Sequence, residues 1–166
     1  MNAAIWFGGS FFAMIGVAPA VFTPEMKKYF GDFWTGFVAF QVFERYFALQ
    51  YWCGAIAIAQ LCAEWVYLGK PLYRLALGVV LGVFALALAG GLVMQPRLRT
   101  LHEIKYGKNE AYTEARKAEA ARSLRIWHGI SRGAGLLALV GLGWHLWRMG
   151  NPPNAPRYTS SSKFTT

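Results

Sequence analysis

Of the 166 residues, 55% are hydrophobic, 16% aromatic and only 15% charged, which leaves little polar surface for a separate soluble domain. A formal net charge of +9 in so short a chain would ordinarily point to nucleic acid, but the basic residues crowd into the connections between apolar runs, where anionic lipid is the natural counter-charge. The two cysteines, Cys53 and Cys62, lie nine residues apart in one apolar run and so on opposite faces of a helix, which excludes a disulfide or a shared metal site between them.

The first apolar run, Ala3 to Phe22, has no basic leader, and although Ala18-Pro19-Ala20 imitates a signal-peptidase site it reads as a retained helix ended or kinked by Pro19. The second, about Tyr46 to Ala63, is approached by an aromatic segment from Phe33 to Phe43 that can lie at a membrane interface before turning inward. The third, Leu75 to Gln95, holds no charge, is flanked by Arg74, Arg97 and Arg99, and is stopped by Pro96; at about 1.5 Å per residue it spans the roughly 30 Å hydrocarbon core of a bilayer. The fourth, Ile126 to Trp147, tolerates Arg132 because the long side chain can snorkel from near the boundary. Segment 110–127 is rich in helix formers, with i,i+3 pairs such as Glu114/Lys117, and extends the fourth run as an amphipathic helix. The expectation is an all-α, four-span membrane bundle over residues 1–149, followed by a polar Pro-, Ser- and Thr-rich tail, 150–166.

Four crossings place 23–45 and 96–125 on one side, with eleven Lys and Arg, and the 64–74 turn and both termini on the other, with five. The positive-inside rule puts the basic side in the cytoplasm of a bacterium or the matrix of a mitochondrion, and both termini opposite.

Chemistry is harder to place. Tyr46, Gln50, Cys53, Ala57, Gln60 and Glu64 form one helical stripe that faces protein, with Gln50 and Gln60 hydrogen-bonding across helices or lining a polar path. His128 and His145 are seventeen residues apart, roughly 25 Å, and cannot share an ion, whereas His102 and His128 lie at one membrane face and are the candidate haem ligands. Gly78/Gly82 and Gly129/Gly133 make two GxxxG faces for helix packing, within this bundle first and against a second protein as the alternative. Arg97, Arg99, Lys105, Arg122 and Arg125 cluster at the two ends of one loop and suit a cardiolipin-like anionic headgroup, with an acidic partner subunit as the alternative. No phosphate-binding loop, CxxC pair, HExxH or nucleophile elbow occurs, so no enzyme class, metal or resident cofactor is expected.

Trp6-Phe7-Gly8-Gly9, Ala18-Pro19-Ala20-Val21-Phe22, Phe43-Glu44-Arg45-Tyr46-Phe47 and Trp127-His128-Gly129-Ile130-Ser131 resemble the domain-of-unknown-function family typified by transmembrane protein 205, over about residues 3–147. The resemblance implies a four-helix membrane protein without an established activity, and that family's link to drug and metal tolerance supplies a transport alternative. The first motif is also similar to membrane protoporphyrinogen oxidases and copper-resistance proteins, which rely on intramembrane His; the first run here has none. Small size, positive charge and the lack of a catalytic set suit a non-catalytic accessory subunit of a larger respiratory-type inner-membrane complex, with membrane lipid and membrane proteins as partners. A small transporter or efflux component and a haem-binding electron carrier are the alternatives.

Overall fold

Long apolar runs with few helix breakers produce four helices: α1 (Asn2–Val21), α2 (Pro24–Leu68), α3 (Arg74–Tyr106) and α4 (Glu114–Gly150). They are seen in a computed structural model that describes residues 1–68, 74–107 and 112–151, and no strand occurs among the described residues. Nearly all of the polar tail, from 152 on, lies outside them, as do Lys70 and Lys108. Helices α1, α2 and α3 are long and apolar enough to cross a membrane. In α4 the apolar run is diluted by Arg132 and His145, and this helix is not among the three. The charged segment 114–125 and the fourth apolar run form one uninterrupted helix, its first turn capped by Thr113, whose Oγ1 accepts from the Arg116 amide at 3.4 Å. Glu114 then pairs with Lys117 at 2.8 Å.

Two expectations about helix ends are corrected. Pro96 does not stop the third helix; it lies inside α3, immediately after a π-helical stretch at Gly90–Met94. Proline lacks an amide hydrogen and its ring collides with the carbonyl four residues back, and the wider π turn at 90–94 makes room for that ring. Pro19 in α1 is likewise preceded by a π-helical stretch, Phe12–Val17. The aromatic approach 33–43 does not lie apart from the second run either: 32–68 is one helix, and the break falls earlier, at Gly31, whose φ of 72° and ψ of 164° only glycine adopts without strain. Thr35 Oγ1 donates to the Gly31 carbonyl at 2.8 Å and fixes that corner.

The helices form a square ring in which α1 packs on α2, α2 on α3, α3 on α4 and α4 back on α1. At its centre sits Trp6, fully buried, against Cys53 and Ala57 of α2, Val80 and Val83 of α3 and Leu142 of α4. Outside, Leu81, Leu92, Ile130, Leu137 and Val140 are exposed, an arrangement suited to lipid and not to water. Because α3 has 33 residues and α4 has 37, each is about 50 Å or more in length against a hydrocarbon core of about 30 Å, so a layer of helix ends stands beyond the apolar zone.

Each seam of the ring is closed by a glycine opposite a bulky side chain. A Cβ at Gly9 would lie 2.9 Å from Leu49 on the α1–α2 seam; at Gly54 it would land on the Phe84 ring between α2 and α3. At Gly141 it would meet Val83 at 3.0 Å between α3 and α4, and at Gly135 it would meet Met14 at 3.1 Å between α4 and α1. The expected packing faces are corrected accordingly. Gly78, Gly82, Gly129 and Gly133 are exposed, and a Cβ at any of them meets nothing within 4 Å. A GxxxG spacing guarantees two small residues on one helix face, but the direction of that face depends on where the large neighbours sit.

Gly54→Val should therefore lower detergent stability by about 1–3 kcal/mol, the usual range for overpacking, while Gly78→Leu with Gly82→Leu leaves the isolated bundle within about 0.5 kcal/mol. Thermal unfolding in one detergent compares them; equal losses would mean that the glycines seat no side chains.

Candidate functional site

Two polar clusters stand out in this apolar fold, one at the core and one among the protruding helix ends. At the core, Trp6 and Ser10 lie one turn apart on α1 and face Tyr46 and Gln50, one turn apart on α2. Trp6 Nε1 donates to Gln50 Oε1, Gln50 Nε2 donates to Ser10 Oγ at 2.8 Å, and Ser10 Oγ donates to the Trp6 carbonyl at 2.7 Å. One turn further along, Asn2 Nδ2 donates to the Cys53 carbonyl at 2.9 Å, so the same seam is tied twice. Each of these groups supplies what its neighbour needs, and the cluster serves as a lock.

The predicted stripe of α2 divides here. Gln50, Cys53 and Ala57 are buried, but Gln60 and Glu64 are exposed, which corrects the expectation that the whole stripe faces protein. Its residues advance by steps of four, three, four, three and four, eighteen residues in five turns, so Glu64 returns to the face of Tyr46 and the stripe itself stays straight. The neighbouring helices do not follow it. Trp6 and Ser10 were not among the expected site residues; the available signal was a serine and an indole four apart within an otherwise apolar run.

The second cluster lines a cavity of about 260 Å³ between the start of α2, the end of α3 and the first turns of α4. From α2 come Lys27, Asp32 and Thr35, placed around the Gly31 corner; from α3, His102, Lys105 and Tyr106; from α4, Leu124, Arg125 and His128. Lys27 and Asp32 pair at 3.8 Å. Lys105 Nζ donates to the Tyr106 hydroxyl at 2.7 Å and lies 4.4 Å from the centre of its ring.

His102 is held from several sides. Its ring packs on Tyr106, Phe40 and Phe33 at 4.9, 5.5 and 5.9 Å between centroids, and over Gly36, where a Cβ would land on the imidazole. Nε2 lies 3.2 Å from the Asp32 carbonyl, which can only accept, so Nε2 carries the proton. The structure thus brings His102 and His128 to one cavity, yet commits the His102 Nε2 to backbone, and no group of three or more His, Cys, Asp or Glu suited to a metal ion occurs among the described residues.

The basic cluster read from the sequence also divides. Half-buried Lys105 and exposed Arg125 line the cavity, whereas Arg97, Arg99 and Arg122 do not, Arg99 pairing with Glu103 at 3.4 Å. The expectation of one converging patch is corrected by helix geometry: Arg97 and Arg99 flank the buried Leu98 on exposed sides of α3, while Leu98 and His102 are buried. Lys27, Asp32 and Tyr106 complete the cavity, and sequence reading missed them because only the Gly31 corner carries the start of α2 over the end of α3.

Among known families, the model described as a domain of unknown function (DUF4149) matches residues 1–106, which covers the three helices apolar enough to cross a membrane. No curated protein and no solved structure matches the chain.

Replacing Gln50 with Leu should cost about 1–3 kcal/mol, because it leaves the buried Trp6 N–H without a partner, whereas Gln60→Leu at an exposed position stays within about 0.5 kcal/mol. Detergent denaturation of the two variants separates a lock from a decorative stripe; similar stabilities would remove the core cluster from the account of the fold.

Proposed function

The chain belongs to the DUF4149 family, whose domain has no assigned function, and on that premise we propose a non-catalytic membrane protein that crosses the bilayer four times and serves as a structural or accessory subunit of a larger, respiratory-type inner-membrane complex. The observation that carries this reading is the pair of glycine faces left outside the bundle: Gly78/Gly82 on α3 and Gly129/Gly133 on α4 open onto empty space, while other glycines close the internal seams. In a bilayer, lipid tails are as apolar as leucine, so association of helices depends on close backbone approach at such small residues. The partner we infer is therefore a transmembrane helix of another protein. The core polar cluster supports a static role, since its groups are engaged with one another and hold α1 to α2.

In this proposal α4 is the fourth span, with Arg132 reaching the boundary by its long side chain. The basic side, which includes Lys27, Lys105 and Arg125, faces the cytoplasm or matrix, and both termini lie opposite. The likeness to the transmembrane protein 205 family belongs to the same proposal. A reporter fused at the C-terminal end should be accessible from outside the cytoplasm; a cytoplasmic reporter on a four-span protein would reverse the orientation.

Co-purification in mild detergent tests the accessory role. Gly78→Leu/Gly82→Leu and Gly129→Leu/Gly133→Leu variants should keep parental stability and lose most of the co-purifying membrane proteins. Unchanged partners in both variants would remove the glycine faces as docking sites. A small transporter predicts a different pattern, in which Glu64→Gln abolishes flux of a substrate and leaves the co-purifying proteins in place.

A further inference from the structure

We propose that the cavity between α2, α3 and α4 holds the phosphate of an anionic phospholipid headgroup. The inference rests on the membrane reading above and adds a ligand to it. Lys27 is paired with Asp32, so their charges offset each other at the cavity wall. Lys105 and Arg125 have no carboxylate partner among the ion pairs of the described residues, which leaves two positive charges facing one cavity, enough to hold the single negative charge of a phosphodiester. The position of Lys105 is prepared in advance: the Tyr106 hydroxyl and ring hold its ammonium, and Tyr106 keeps its own O–H to donate.

Size and location select the lipid. A volume of about 260 Å³ falls below the roughly 300–1,000 Å³ of sites that enclose drug-sized ligands, so the cavity suits a headgroup whose remainder lies elsewhere. Its α4 residues Leu124, Arg125 and His128 sit at the start of the apolar run that begins at Ile126, where the headgroups of a bilayer leaflet would stand, and its α3 residues rise beyond the uncharged run that ends at Gln95. Phe22 and Leu124 supply apolar wall on the same cavity, suited to the glycerol and first methylenes of a chain. A soluble phosphate ester would share the charge pairing and gain nothing from that wall or that depth.

The test uses the full-length protein, stripped of lipid in mild detergent and mixed with phosphatidylglycerol, phosphatidylcholine or glycerol phosphate, with bound ligand counted by native mass spectrometry. The parent should retain phosphatidylglycerol in preference to the other two. Lys105→Gln with Arg125→Gln should weaken that retention by about 100-fold or more, roughly tenfold per charge-assisted contact, against about 25-fold for two charges acting only through diffuse surface attraction. Arg97→Gln with Arg99→Gln removes the same formal charge outside the cavity and should cost about fivefold less than the cavity pair. Lys105→Arg, which keeps the charge, should retain the lipid and so separate lost binding from lost folding. Equal losses in the two double variants would reduce the site to diffuse surface attraction and overturn the proposal. Retention of glycerol phosphate as tight as that of phosphatidylglycerol would overturn the lipid assignment. The co-purifying proteins report separately: their loss in the glycine variants, with lipid still bound, supports the accessory role whatever the cavity holds.

Discussion

Trp6, Ser10 and Gln50 form the contact on which the rest of the bundle depends. A buried indole N–H or amide without a partner costs several times the net gain of one satisfied bond. In an apolar surround few other partners exist, so the two helices have one rotation and one depth at which Trp6 meets Gln50 and Ser10 together. That setting places the Trp6 ring against α2, α3 and α4 at once, and the Gly9–Leu49 contact follows on the same seam. The gain from interhelical hydrogen bonds in membranes is about 0.6–2 kcal/mol each. The greater effect is selective, because every misaligned pairing strands a polar group.

From this fixed seam the architecture of the opposite end follows. Helices α3 and α4 are longer than a bilayer core, and neither Pro96 nor the charges of 114–125 end them. The π-helical stretch before Pro96 carries α3 past its proline to His102 and Tyr106. The Gly31 corner then lays the first turns of α2 against them, with the Asp32 carbonyl meeting His102 Nε2. A cavity forms there because three helix ends meet where long basic and aromatic side chains replace the small residues of the seams. Its positive charge comes from Lys105 and Arg125, since Lys27 is paired with Asp32.

The glycines show how far sequence spacing reaches. Paired spacing drew attention to Gly78/Gly82 and Gly129/Gly133, yet the seams are closed by Gly9, Gly54, Gly135 and Gly141, which are matched to Leu49, Phe84, Met14 and Val83 across helix boundaries. Such matches join residues distant in the chain and leave no periodic trace. Gln50 and Gln60 make the same point on one helix, since both are amides in an apolar run and only Gln50 has an indole and a hydroxyl opposite it. The histidines follow suit: shared depth placed His102 and His128 at one end, but the orientation of His102 was decided by Gly36 and three aromatic rings.

By itself the sequence determined the helical class, the approximate position of the three helices apolar enough to cross a membrane, and the continuation of 114–125 into the last helix. These follow from local quantities, namely hydrophobic run length and helix propensity, each read within a few turns. Only the tertiary structure decided which glycines pack and which stay open, which amide is locked at the core, and which cations share a cavity. The physical reason is that close packing and hydrogen-bond satisfaction are properties of pairs far apart in the chain, such as Trp6 with Gln50 or Asp32 with His102, and those pairs are set by how the helices rotate against one another.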